Sequence, residues 1–130
     1  MTPTLGRKRR AQLEDKLQAA VVLHLEARGV PGLLYWHTPN SSKLGGKRTK
    51  DGIPLAAIRL KKQGMLPGVS DLVFLLAGKF HALELKIAPN KPTAPQLEFL
   101  DRVRSQGGEA TWSNDLDEAL GALKSWGLIR

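Results

Sequence analysis

Three charged residues sit where the surrounding sequence asks for strand: Asp71 at the head of "DLVFLLAG", and Glu84 and Lys86 inside "FHALELKI". Side chains two apart on a strand share a face, so Glu84 and Lys86 point one way and Leu83 and Leu85 the other. Gly78-Lys79 between the two runs reads as a tight turn joining antiparallel strands. Such a hairpin pairs the start of its first strand with the end of its second, which brings Asp71 alongside Glu84 and Lys86 on a charged face beside a core face. Two carboxylates that close repel, and each is costly to desolvate. A hard divalent cation, Mg²⁺ or Mn²⁺, would reconcile them, since it takes one or two carboxylates and keeps positions for water and phosphate oxygens. The chemistry expected is phosphodiester hydrolysis, with Asp71 and Glu84 as metal ligands and Lys86 orienting the attacking water or steadying developing negative charge. The plain alternative is a solvated salt bridge from Lys86 to one of the acids.

The elements that must position these residues are legible in the surrounding periodicity. "AQLEDKLQAAVVLHLEARG" carries Leu13, Leu17, Ala20, Val21 and Leu25 at helical spacing and stops at Gly29, predicting a helix over about residues 10–28. Glu14 and Gln18 lie one turn apart beside its apolar stripe. "GLLYWHTPN" predicts a strand near residues 33–38, and "SSKLGGKRTKDGIPLA" a flexible basic loop. "AAIRLKKQG" allows one or two helical turns. After the hairpin, Pro89, Pro92 and Pro95 interrupt the chain before a helix containing Gln96, Leu97, Leu100, Val103 and Arg104. "EATWS" reads as one more strand, and "DLDEALGALKSWGLI" as a last helix burying Leu116, Leu120, Leu123 and Trp126. The order α-β-loop-β-β-α-β-α predicts an α/β sandwich, a mixed sheet flanked by helices, as one domain over 1–130.

Composition narrows the partners. The net charge is +8, and residues 1–62 hold 13 Lys/Arg against 4 Asp/Glu while residues 63–130 hold 7 against 8. This lopsided excess favours a polyanion, nucleic acid before an anionic membrane surface. Residues 1–10, with four consecutive cations at Arg7–Arg10, are expected to form a flexible basic arm. Lys43, Lys47, Arg48, Lys50, Lys61 and Lys62 are the candidate DNA contacts, cations on a glycine-rich loop and the segment after it that can follow a phosphate backbone without reading bases. Asn40 and Ser41 could add neutral phosphate contacts or simply form a turn. With no cysteine, thiolate zinc sites and disulfides are excluded, and no run approaches a membrane span of roughly 18 apolar residues. An intracellular, cytoplasmic protein, bacterial or phage-encoded, is the expectation. His81, counted by twos, falls on Leu83's face away from the acids; His37, beside the basic loop, is a candidate substrate contact.

"PGVSD", 12 intervening residues and "ELK" resemble the PD-(D/E)-x-K nuclease signature. The surroundings are similar to its virus-type replication-repair branch, the VRR-NUC domain. The matching stretches run in order from about Glu14 to Trp112: "EDKLQAAVVLHL", "YWHTPN", "LKKQGMLPGVSDL", "ELK", then "PTAPQLEFL" and "GG". The resemblance implies a restriction-endonuclease-like fold in which Asp71 and Glu84 hold the metal and Lys86 assists the attacking water. It further implies that Gln96 organises the site from the neighbouring helix and that Glu14 completes a metal position from the first one. Ser70 stands where the superfamily name implies proline, and Gly68 should still permit a tight backbone approach. Stand-alone members of the branch imply a homodimer acting on branched, flap or junction DNA in replication or repair. A non-catalytic nucleic-acid-binding module on the same fold is the competing reading, and a resolvase-like or restriction-type nuclease would share the site. For Glu14 the competing reading is a solvated helix flank, and for Gln96 an ordinary residue of a helix start.

Overall fold

The computed structural model describes residues 6–39 and 45–130. A four-stranded sheet in the order β1-β2-β3-β4 carries helices on both faces; its strands are β1 (Leu34–His37), β2 (Leu72–Leu76), β3 (Lys79–Leu85) and β4 (Glu109–Ser113). Strands β1, β2 and β3 are antiparallel neighbours, while β3 and β4 run parallel through a helical crossover. The helices are α1 (Arg7–Arg28), α2 (Leu55–Lys62), α3 (Ala94–Ser105) and α4 (Leu116–Ser125). The expected mixed α/β sandwich is therefore present.

Covering both faces explains why β2 begins with unbroken apolar residues, where a sheet with one wet face would alternate. Leu72 and Phe74 of β2, with Leu83 and Leu85 of β3, pack against Val21 and Leu25 of α1 and Ala119 and Leu123 of α4. Val73 and Ala82 face the other way, toward Phe99, Leu100 and Val103 of α3. His81 is buried on the first of these faces, its ring 5.5 Å from that of Trp126, and burial lowers its pKa. It is a core residue, on Leu83's face as its parity requires.

Three local expectations need correction. Arg7–Arg10 are not a flexible arm but the opening turn of α1. Arg and Lys are good helix formers, and here the helix extends N-terminally past its apolar stripe; residues 1–5 lie outside the described residues. The hairpin turns one residue earlier than expected, at Ala77-Gly78, with φ of 50° and 79°, and Lys79 already begins β3. Both central residues are left-handed, as the two-residue turns that suit strand twist require. The basic loop is ordered in its second half: Thr49 N–H donates to Ile53 O (2.8 Å), Leu55 N–H to Lys47 O (2.9 Å) and Arg48 Nη1 to Gly52 O (2.8 Å).

Candidate active site

The β2–β3 register pairs Leu72 with Leu83, so the next step outward sets Asp71 opposite Glu84. Each carboxylate is tied to the backbone across the strand pair. Asp71 N–H donates to Glu84 Oε2 at 3.3 Å, and Leu85 N–H donates to Asp71 Oδ2 at 2.8 Å. Each carboxylate thus takes up a backbone donor on the opposite strand, at the point where the regular ladder ends. Strand β1 holds the same corner: Thr38 N–H (3.0 Å) and His37 Nδ1 (2.8 Å) both bond to Asp71 O. That bond makes Nδ1 the protonated ring nitrogen of His37, because a carbonyl can only accept. On the far side, Lys86 N–H donates to Ser113 O at 3.0 Å and so extends the β3–β4 pairing by one residue. Its Nζ lies 3.8 Å from Glu84 Oε1.

The charged face is not solvent-facing, as the salt-bridge alternative would have it. Glu84 is only 2% exposed, and the Lys86 side chain 12%. The reason is tertiary: Glu84 shares a parity with Ala82, and α3 covers that face. Burial, reinforced by the nearby Asp71 charge and opposed by Lys86, pushes the Glu84 carboxyl up to about 9. A surface salt bridge would lack that desolvation, so the plain alternative does not describe this cluster. Two hard oxygen donors, one of them inclined to keep its proton unless a positive charge replaces it, are a donor set suited to Mg²⁺ or Mn²⁺.

The N-terminus of α3 is locked against the loop that delivers Asp71. Thr93 Oγ1 accepts from Gln96 N–H and Gln96 Oε1 accepts from Thr93 N–H (2.8 Å), a reciprocal cap that occupies the Gln96 carbonyl and leaves its amide N–H₂ as the donor end. Gln96 is 5% exposed and lines a small cavity with Thr38, Pro39, Gly68 and Val69. Gly68 has φ +83°, and a Cβ placed on it would run into the Pro95 carbonyl. The tight approach expected of this glycine is real, and it is made to the first turn of α3. The Thr-x-x-Gln spacing is itself a capping signal in the sequence. The bonds from His37, Thr38 and Ser113 have no such signal, since they depend on strand pairing across distant segments.

Asp71, Glu84 and Lys86 are thus brought together, with Gln96 at the edge of the same corner. Glu14 is not part of this group: it is half-buried on α1, and among the described residues no three His, Asp or Glu side chains form a cluster able to hold a metal ion. Helix α1 packs on the opposite face of the sheet, against Leu83 and Leu85. Lys47, Arg48, Lys50, Lys61 and Lys62 are exposed, the first three on the ordered half-loop and the last two in the final turn of α2. Lys43, Asn40 and Ser41 lie outside the described residues.

No protein-family model matches the sequence, and no curated protein matches it. Solved structures do match in fold, two of them as follows. One, named "VRR_NUC domain protein", superposes with a TM-score of 0.68 at 18% identity over 88% of this chain and 87% of that one. Another, named "VRR_NUC domain", gives a TM-score of 0.57 at 18% identity over 88% of this chain and 97% of that one. With its mixed sheet, its flanking helices and this span of superposition, the chain has the nuclease-type fold of the VRR-NUC domain.

Proposed function

We propose that this protein is a metal-dependent DNA endonuclease that cuts branched, flap or junction DNA. The observation that carries the reading is the buried Glu84 carboxylate accepting from Asp71 N–H, the half-buried Asp71 carboxylate accepting from Leu85 N–H, and Lys86 Nζ 3.8 Å from Glu84. Asp71 and Glu84 would hold Mg²⁺ or Mn²⁺, which when bound supplies Lewis-acid polarisation of the scissile phosphate and neutralises the paired acids. Glu14 is a candidate for an additional ligand only if α1 or the site rearranges on loading.

The chain's own residues set the geometry. His37 and Thr38 fix the Asp71 backbone from one strand, and the Leu85 amide fixes its carboxylate from another, so little reorganisation is left for the reaction itself. Lys86, held by Ser113, presents an ammonium beside Glu84, where it donates to the attacking water and offsets the charge growing on the phosphate oxygens. Gln96, whose carbonyl is held by Thr93 N–H, would use its amide N–H₂ to steady water or phosphate in the cavity it lines. The water oxygen bonds to phosphorus and gives up a proton to solvent, the bridging P–O bond breaks, and the leaving oxygen takes a proton from solvent.

The net charge of +8 and the exposed cations of the half-loop and α2 support a nucleic-acid substrate held through its phosphates. A homodimer is supported by the outer strands. Leu34, Trp36 and Leu75 are 55%, 45% and 38% exposed and share one sheet face beside an unpaired edge, a surface suited to a second copy.

The test separates binding from cutting. Asp71→Ala is expected to lower Mg²⁺-dependent cleavage by at least about a hundredfold, the scale of losing an electrostatic catalytic group, while DNA affinity by gel shift stays near wild type. Cleavage that survives the substitution would remove Asp71 from the chemistry.

A further inference from the structure

A groove runs the length of α3 on the face that carries the acids. Near Gln96 it opens as the small cavity lined by Gly68 and Leu66. It continues past Pro67, Pro95 and Lys61 as a space of about 300 Å³. It ends beside the Ala77-Gly78 turn as a cavity of about 530 Å³ between Phe80, Phe99 and the glycines that follow the helix. Leu66 lines all three compartments, and Phe99 and Arg102 line the last two, so the three adjoin along α3. The larger cavity falls within the range of about 300–1,000 Å³ typical of ligand sites.

The walls combine two chemistries. Leu66, 43% exposed, and the half-buried Phe80 supply apolar and aromatic surface, with the core residue Phe99 beneath them. Lys61, Arg102 and Lys79 supply cations along the rim, against Glu98 on the groove and Glu109, which pairs with Lys79 at 3.0 Å. A duplex offers phosphates but keeps its bases stacked inward. A single strand offers both, bases to aromatic faces and phosphates to the rim, and sequence-tolerant grooves of that kind are how single strands are held.

We propose that this groove binds a single-stranded DNA arm, with its bases against Leu66 and Phe80 and its phosphates on Lys61 and Arg102. Resting on the nuclease reading, the proposal gives that activity a source of structure selectivity: the unpaired arm of a flap or junction lies along α3 and sets the scissile phosphate at Asp71 and Glu84.

The experiment is fluorescence anisotropy with the full chain in EDTA, so that cleavage plays no part. A short labelled oligothymidylate is compared with a blunt duplex of equal length. Leu66→Ser, which removes a base contact, and Arg102→Glu, which reverses the charge at a phosphate contact, are each expected to weaken oligothymidylate binding by about tenfold. Duplex binding should fall no further than with Lys124→Glu, an equal charge change on the exposed face of α4. Melting curves identify any variant that fails to fold, and 2-aminopurine within the oligonucleotide should report quenched, stacked bases with the wild type. Equal weakening of both DNAs, weakening no greater than that of Lys124→Glu, or no oligothymidylate binding by the wild type would each overturn the proposal. A groove that fails while metal-dependent cutting persists leaves the nuclease reading intact; a groove that holds without cutting leaves a binding protein.

Discussion

Among single residues, Glu84 matters most. Its carboxyl is raised from 4.5 to about 9 by burial and by Asp71, so the folded protein keeps a proton that the unfolded chain releases. An acid shifted in this direction contributes stability that is fully present below pH 4.5 and is lost as pH rises toward about 9. The metal-free protein should therefore melt at progressively lower temperature across that window. Glu84→Gln, which cannot ionise, should flatten the trend and be the more stable protein at the alkaline end. Identical slopes for the two proteins would mean that Glu84 is ionised throughout. That Asp71 meets Glu84 and Lys86 on one face was legible in the sequence from alternation and a two-residue turn, but the turn at Ala77-Gly78 rather than Gly78-Lys79 is what sets Glu84, and not Lys86, opposite Asp71. The burial of Glu84 was not legible, because nothing in "HALELK" says which sheet face α3 will cover. Glu14 shows the converse limit: helical spacing puts it beside an apolar stripe, but the face against which that stripe docks is decided by the whole sheet.

Between elements, the hairpin and the start of α3 act as a unit, joined at Gly68. Its positive φ and its close approach to the Pro95 carbonyl leave no room for a side chain. Gly68→Ala should cost more than about 1 kcal/mol, the usual penalty for an incompatible backbone being larger than the entropy gain of losing a glycine. It should also lower cleavage more than its loss of stability accounts for, since the shift falls on the segment that carries Asp71. Chemical denaturation and cleavage on the same preparation check both; wild-type stability would remove the close packing. Element order was readable from periodicity, and the glycine's tight approach was anticipated, although not its partner. What escaped were short-range details. Ala77 takes a left-handed turn position that alanine rarely adopts, and the cation-rich half-loop gains order through Thr49 and Arg48, whose hydrogen bonds have no apolar pattern to announce them.

For the whole molecule, the distribution of charge predicts how it meets DNA. Exposed Lys47 and Lys50 lie on the half-loop while Arg48 helps to hold its shape through Gly52. Replacing both lysines by alanine should weaken duplex binding and reduce the slope of log affinity against log salt by about 0.9 for each phosphate no longer neutralised. An unchanged slope would place the phosphate track elsewhere. Among the described residues, no helix is long and apolar enough to cross a membrane. The sandwich was foreseeable from the α-β-β-α-β order, and the shared fold with VRR-NUC structures agrees with it.

Whether Asp71, Glu84 and Lys86 form a nuclease site is decided by incubating wild-type protein and Glu84→Ala with labelled duplex, single-stranded, flap and four-way-junction DNA in Mg²⁺, Mn²⁺ or EDTA. The wild type should cut with either metal, most strongly on a branched substrate, and no cutting should occur in EDTA or with Glu84→Ala. Cutting that persists in Glu84→Ala, or binding without cutting under every metal, would contradict the assignment.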